Sequence, residues 1–324
     1  MRQDRPPFHA CIVASLTAIA MPTCAHAQTA DAPRAEVAAS RPAPYSLPWQ
    51  LRPVLAATAV RSDTSFARYE NAASSGGTTV VSTLTASYKI PGTGGPGAGL
   101  APLVRVAFSQ DSPPSGNGGF AFVNPLVGAS YAFALGGSFR ASASLGVTVP
   151  VGMGGGDAPD PGVADARSKG VLARAAMDNA LFAVNDFTVI PGIDVAYVAD
   201  GVTVQLEATL LELARVRGDK SQPEATKTNF TSGLHVGYFI ASTVSLGAEL
   251  RYQRWLNAPF AVDKDTTGTL VDNLTVAFGP RFHFALGDHV WLRPGIAYAR
   301  GLDKPMAAST PNYHIVQLDV PIVF

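Results

Sequence analysis

The stretch YHIVQLDVPIVF, residues 313–324, decides the fold of this chain. Successive side chains of a β-strand point to opposite faces, so this stretch separates into two unlike faces. Tyr313, Gln317 and Asp319 share one face, which suits a water-filled interior. The other face carries His314, Val316, Leu318, Val320, Ile322 and Phe324. Because this second face is almost wholly apolar, the stretch predicts a strand with lipid on one side and water on the other.

The same segment resembles the C-terminal insertion signal of bacterial outer-membrane proteins. That signal ends in an aromatic residue and has apolar residues at alternating positions before it, as in Leu318, Val320, Ile322 and Phe324, and Tyr313 begins the segment. The resemblance implies a closing strand of an outer-membrane β-barrel. It also implies two kinds of partner, the barrel assembly machinery and the outer-membrane lipids, including lipopolysaccharide.

The beginning of the chain predicts export. Two arginines precede an apolar stretch at residues 10–21, and the Ala-His-Ala sequence at residues 25–27 has the small residues of a signal-peptidase site. We therefore predict a cleaved signal peptide over residues 1–27. Both cysteines, Cys11 and Cys24, lie within it, so we expect no thiol for a disulfide, a thiolate metal site or a cysteine nucleophile in the mature chain.

The composition favours an all-β or membrane-facing protein. Only 15% of the residues are charged, 31 are glycine, and the 24 basic residues balance the 24 acidic ones. Such a balanced charge gives no support to nucleic-acid binding. Residues 112–139 carry no charge, but prolines and glycines interrupt them and they alternate, so we expect no membrane-spanning helix there.

Alternation and turn residues predict a single antiparallel barrel of about twelve strands over residues 49–324, after a Pro/Ala-rich periplasmic lead-in at 28–48. The connections support this fold because tight Gly- and Asp-containing turns alternate with long polar loops. One side of the barrel would then carry the turns and the other the external loops. The predicted strands are residues 51–61, 79–90, 101–109, 120–134, 139–151, 187–199, 202–216, 229–240, 244–255, 270–286, 289–302 and 312–324.

Charged residues at inward positions are the candidate functional residues. They are Lys89, Arg105, Arg140, Asp194, Glu207, Glu249, Arg251, Arg281, Arg293 and Asp319. Twelve tilted strands enclose a wall of roughly 12 Å radius, so a narrow passage fits and a wide one does not. These charges would either brace a mostly filled barrel through salt bridges or form a polar constriction that selects small solutes.

The third external loop, residues 152–186, contains a helix-forming stretch at residues 163–182. We expect either a plug folded into the lumen or a mobile surface loop, with Asp165, Arg167, Lys169 and Arg174 solvated. The aspartates of this loop fit no calcium-binding spacing, so we assign no metal site.

Asn124-Pro125-Leu126 followed by Gly128 and Tyr131, together with the terminal Phe324, resembles the outer-membrane barrels grouped with meta-pathway phenol-degradation proteins and other small-molecule transporters. The resemblance implies passive passage of small compounds, hydrophobic ones among them, and carries over no substrate-binding residue.

The resulting prediction is a channel for a small-molecule solute in the outer membrane of a Gram-negative bacterium, with no cofactor and no catalytic residue. One alternative is a closed barrel that acts as a structural or surface-interaction module. A phospholipase-type enzyme is a further alternative, since His314 faces lipid, but no serine and asparagine accompany it at a matching spacing.

Overall fold

A computed structural model describes residues 45–70, 76–220, 224–307 and 312–324. The predicted signal peptide and residues 28–44 of the lead-in lie outside these ranges. In the described part, long strands dominate and helices are short. The helices are α1 (Pro161–Ala173), α2 (Asn179–Phe182) and α3 (Phe260–Asp263). Among the described residues, none of the helices has the length and apolar character needed to cross a bilayer.

The strands form one antiparallel sheet that closes on itself. In chain order they are β1 (Ala59–Glu70), β2 (Gly76–Ser87), β3 (Gly99–Ser112), β4 (Gly119–Phe122), β5 (Leu126–Gly136), β6 (Phe139–Thr148), β7 (Asp186–Ala199), β8 (Val202–Arg215), β9 (Thr226–Ala241), β10 (Val244–Asn257), β11 (Asp272–Phe282), β12 (Phe284–Ala285), β13 (Trp291–Leu292), β14 (Gly295–Gly301) and β15 (Asn312–Val323). Twelve of them make the wall, in the order β1, β2, β3, β5 to β11, β14 and β15. Three short strands extend this wall: β4 pairs with β3, β13 pairs with β15, and β12 pairs with β13.

Pairing between the first and last wall strands closes the barrel. The register runs from Ala59 opposite Val323 to Glu70 opposite Asn312, along the whole length of both strands. A closed wall leaves no unpaired edge, so the backbone can satisfy its hydrogen bonds without water. The predicted fold class, a single antiparallel barrel of about twelve strands, is confirmed.

Tight turns join the strands at one end of the barrel, which we call the turn end. Between β7 and β8, Asp200 and Gly201 both adopt positive φ, at 51° and 79°. Two consecutive residues of this kind match the right-handed twist of the flanking strands. Two longer connections, residues 88–98 and 283–294, also lie at this end. The connection between β6 and β7, which contains α1 and α2, lies at the opposite, loop end.

Burial alternates along the wall strands. On β10, Ser245, Glu249 and Arg251 are buried while Leu246 and Leu250 are exposed. Every second side chain therefore points into the barrel and the others form an outer apolar surface. The faces predicted for the last strand agree with this pattern.

The prediction for the first strand was wrong. Residues 51–58 lie inside the barrel, where Leu51 and Val54 are buried, and β1 begins only at Ala59. Val54 packs in an inner cluster with Ala196 and Val198, so the apolar side chains of this segment fill the lumen instead of facing outward from the wall. Breaks also divide the strands predicted at 120–134, 270–286 and 289–302, next to Pro125, His283 and Pro294.

Candidate functional site

Two segments of the chain fill the interior of the barrel. We call residues 45–58 the N-terminal plug, since they precede β1 and occupy the turn-end half of the lumen. We call residues 161–182, which include α1 and α2, the loop plug, since they enter from the loop end. Of the two alternatives predicted for the third external loop, the structure shows the plug folded into the lumen.

Wall carboxylates hold the irregular backbone of the N-terminal plug. Glu249 accepts hydrogen bonds from the backbone N–H groups of Trp49 and Gln50, the latter at 3.2 Å. Glu207 accepts the backbone N–H of Arg52 at 2.6 Å. A buried N–H group without a partner is costly, so these two glutamates take the place of a neighbouring strand.

Buried ion pairs surround the same plug. Asp319 on β15 binds Arg61 at 2.6 Å and Arg281 at 2.5 Å. The guanidinium of Arg281 also lies 5.8 Å from the centre of the Trp49 ring, where a cation–π attraction applies. On the opposite wall, Arg52 lies 3.5 Å from Asp194. Removing one partner of a buried pair typically costs about 3–5 kcal/mol, so the plug and wall are strongly interdependent.

Helix α1 of the loop plug has a defined start and a close contact with the wall. The Asp160 carboxylate caps it by accepting from Gly162 and Val163 N–H groups at 2.9 and 3.2 Å, and Pro161 occupies the first turn. Gly170 faces β3, where a Cβ atom would lie only 2.5 Å from Ser109 Oγ. The absence of a side chain at Gly170 lets the helix pack directly against the wall.

Arg174, which directly follows α1, anchors the loop plug. Its guanidinium binds Asp63 on β1 at 2.7 Å and Asp178 at 2.8 Å, and Arg105 on β3 binds the same Asp178 at 2.9 Å. The expectation that Arg174 is solvated was wrong, since its side chain is 1% exposed. The sequence around Arg174 does not show its partner because Asp63 lies 111 residues away.

Electrostatics around Asp178 favours its charged form. Burial alone would raise the pKa of Asp178, but the neighbouring guanidinium groups of Arg174 and Arg105 outweigh it and leave the pKa below the ordinary value. The carboxylate therefore stays ionised at neutral pH. The two plugs also touch directly, because the Gln50 side chain donates to the Arg174 carbonyl oxygen at 2.9 Å.

A cavity of about 820 Å³ remains between the two plugs and the wall formed by β2, β3 and β5 to β8. Its middle is apolar, and small inward residues such as Gly146 and Ser144 make room for it. Its charged groups include Arg105, Asp178 and Glu207. The apolar side chains that line it include Leu51, Leu103, Leu126, Leu181, Ile190 and Leu211.

The cavity opens at the turn end and is closed at the loop end. Exposed residues of the turn end, among them Pro91, His289 and Phe324, belong to its lining. On the other side, Met177 and Leu181 of the loop plug form its lid. A molecule in the cavity would therefore reach the turn-end solvent without meeting the loop plug.

The structure places the sequence-predicted lumen residues on the inner face or at the turn-end mouth. Asp194, Glu207, Glu249, Arg251, Arg281 and Asp319 are buried inner-face residues, and Arg105 and Arg140 are half-buried there. Lys89 follows β2 and donates to the Gly95 carbonyl at 2.6 Å, while Arg293 lies over the Trp291 ring at 5.6 Å. Of the insertion-signal residues, Tyr313 points inward and Leu318, Val320 and Ile322 point outward.

Several residues of the site were missed in the sequence. Arg61 and Asp63 escaped because the predicted first strand, residues 51–61, starts too early and ends before Asp63. Trp255 near the end of β10 was also missed, and it packs against an inner cluster that contains Ile190 and Leu211.

Comparison with known proteins identifies structural neighbours only. No family model and no curated protein matches the chain. A crystal structure of an outer membrane channel from Pseudomonas putida F1 is 12% identical, covers 85% of this chain and 98% of its own, and has a TM-score of 0.52. The NanC porin is 8% identical over 81% of this chain and 98% of its own, with a TM-score of 0.45. The KdgM porin is 9% identical over 82% and 99%, with a TM-score of 0.43. These neighbours are outer-membrane porins and channels, and at this identity the likeness to the Pseudomonas putida channel shows the fold alone.

Proposed function

We propose that the protein is an outer-membrane channel through which small solutes, including hydrophobic ones, pass passively. The lumen cavity of about 820 Å³ carries this proposal. Its volume falls within the roughly 300–1,000 Å³ typical of pockets for small molecules. Its apolar middle, with charged groups alongside, suits a compact solute that has both apolar and polar parts.

The loop plug is the gate in this proposal. The N-terminal plug is bound through its backbone to Glu249 and Glu207, so it behaves as part of the wall. The loop plug is held to the wall by two ion pairs, Arg174 with Asp63 and Asp178 with Arg105. Solute would pass when the loop plug moves toward the loop end and opens the cavity on that side.

A pair of neighbouring substitutions tests passage through the cavity. Ser144 lines the cavity, whereas the adjacent Ala143 lies on the exposed outer face of β6. We expect Ser144→Trp to lower the rate at which proteoliposomes swell in a small solute, because the indole occupies part of the cavity. The matched variant Ala143→Trp should leave the rate unchanged. Equal rates for the two folded variants would refute passage by this route.

A closed barrel with a structural or surface-interaction role is the second candidate. The two plugs that occupy the lumen and the buried ion pairs that hold them favour it. Planar-bilayer recordings separate the two functions. Reproducible conductance of the folded wild-type protein supports the channel, and persistent silence supports the closed barrel.

We propose no enzymatic activity. His314 faces outward, its Nδ1 lies 2.6 Å from the Tyr298 hydroxyl, and its register neighbours are Arg68 and Arg300 rather than a serine. Hydrolysis of phospholipid by the purified protein, abolished in His314→Ala, would overturn this proposal.

The finer sequence predictions remain part of the proposal. They are cleavage of residues 1–27, assembly by the barrel assembly machinery into a Gram-negative outer membrane, and kinship with the meta-pathway phenol-degradation barrels. The outward apolar face of β15 and the interaction of Phe324 N–H with the Thr58 carbonyl at 2.9 Å are compatible with a terminal insertion signal.

A further inference from the structure

Three basic side chains lie in a row on the outer face of the barrel near its loop end. Arg68 on β1 is in register with His314 on β15, and His314 is in register with Arg300 on β14. Directly opposed side chains of neighbouring strands stand about 5 Å apart at Cβ, so these three groups share one small area. Both arginines are exposed, and neither forms an ion pair with any residue in the described ranges.

Tyr298 orients the histidine at the centre of this row. Its hydroxyl lies 2.6 Å from His314 Nδ1. When that hydroxyl donates to Nδ1, the proton of the imidazole resides on Nε2, which is then a hydrogen-bond donor. The row therefore offers donors from all three side chains. Glu70 is the acidic neighbour on the same face, and it pairs in register with Asn312 rather than with either arginine.

An apolar groove of about 620 Å³ begins directly next to the row. Its floor contains small residues, Ala248, Gly279 and Pro280, and its sides include Phe278 and Ile296. Tyr298 and Val316 join the groove to the row, because they lie next to Arg300 and His314 on β14 and β15. At about 3.3 Å per residue, the groove extends roughly 13 Å from Arg300 to the level of Ile296.

We propose that the row and the groove form a binding site for an outer-leaflet glycolipid of the lipid A type, with its phosphate on Arg68, His314 and Arg300 and one acyl chain in the groove. Guanidinium groups form strong charge-assisted hydrogen bonds with phosphate. Arginines that have no ion pair within the described ranges, at the upper edge of an apolar belt, match a molecule whose phosphates lie directly above its acyl chains. The site rests on the outer-membrane placement proposed above, with the loop end facing outward.

Native mass spectrometry of the folded, detergent-solubilised protein tests this site. The probe is purified bisphosphorylated lipid A, compared with dephosphorylated lipid A and with phosphatidylglycerol. We expect Arg68→Gln/Arg300→Gln to weaken lipid A binding by about tenfold for each arginine removed. The control is Arg254→Gln, which removes a basic side chain from the same end of the outer face, where it is paired with Asp272 at 3.1 Å.

A second variant tests the groove. Ala248→Trp fills its floor and is expected to reduce lipid A binding without touching the basic row. Retention of lipid A by the double arginine variant at the wild-type level would overturn the proposal. So would equal binding of phosphatidylglycerol or of dephosphorylated lipid A. Swelling rates of proteoliposomes that contain the same variants measure passage through the cavity. Failure of the lipid site and failure of the channel are therefore distinguishable.

Discussion

Replacing Arg174 by alanine should open the barrel at its loop end. The change removes the guanidinium that binds Asp63 on β1 at 2.7 Å and also Asp178 of the loop plug itself at 2.8 Å. Asp63 belongs to the wall, so its pair with Arg174 is a direct ionic link between wall and plug. After the substitution, the Asp63 carboxylate stays buried while the plug is docked and regains water when the plug leaves.

The size of the effect follows from this burial. Breaking a buried pair by removing one partner costs about 3–5 kcal/mol, and the cost falls on the docked state alone. Each 1.4 kcal/mol changes an equilibrium about tenfold, so about 3 kcal/mol shifts the ratio of open to closed plug by roughly two orders of magnitude. Gln317 donates to Asp63 at 3.0 Å and still stabilises this carboxylate after the substitution. The cost is therefore expected at the lower end of this range.

Planar-bilayer recording measures the shift as open probability. We expect Arg174→Ala to spend far more time in a conducting state than wild type. The control is Arg254→Ala, which also removes one arginine but breaks a pair whose side chains are 51% and 35% exposed. Such an exposed pair contributes about 1 kcal/mol or less, and it lies outside the lumen.

A heat-dependent shift in electrophoretic mobility should first show that both variants are folded barrels. If Arg174→Ala then conducts no more often than Arg254→Ala, the loop plug is not the gate. A loss of folded barrel in Arg174→Lys as well as in Arg174→Ala would instead show that Arg174 supports the wall itself.

Three further predictions follow from the same geometry. A disulfide in the double variant Leu51→Cys/Gly233→Cys should leave conductance unchanged. A Cβ atom at Gly233 would lie 2.9 Å from Leu51 Cγ, so the bond would only fix the N-terminal plug where it already lies. A loss of conductance that a reductant restores would show that the N-terminal plug is the gate. Acidification should raise the open probability. The pKa of Asp178 is lowered in the docked state, so its carboxylate stabilises that state at pH values above the ordinary pKa of about 3.9, and this stabilisation is lost as the pH falls through the lowered pKa. The same pH dependence in Asp178→Asn would contradict this prediction. Deleting Phe324 should lower the amount of folded barrel in outer-membrane fractions severalfold, and unchanged amounts would remove its proposed role as an insertion signal.

The wall of the barrel was predictable because the residues that determine it lie close together in the sequence. In β10 and β15, lipid and lumen impose a two-residue period that the sequence displays directly. Turns such as Asp200-Gly201 require positive φ, which few residue types accept, so they too are visible in the sequence. Closure then follows from the number of strands and from the cost of an unpaired edge.

The segments that fill the lumen were less predictable because their contacts join residues that are far apart in the sequence. Arg174 lies in a helix-forming segment, and only the folded chain brings it to Asp63. Residues 51–58 alternate much as a strand does, and nothing in their own sequence shows that Val54 packs against Ala196 and Val198 inside the lumen. Trp255 packs against Ile190 and Leu211, which lie on other strands far from it in the chain.

Lipid contact along β6 tests the account most directly. Both cysteines, Cys11 and Cys24, lie in the predicted signal peptide, so in a protein produced without residues 1–27 single cysteines at Ala143, Ser144 and Leu145 can each carry a fluorescent label. In proteoliposomes that contain brominated lipid, we expect strong quenching at 143 and 145, which face outward, and weak quenching at 144, which faces the cavity. Similar quenching at all three positions would contradict a lipid-embedded wall around an internal cavity.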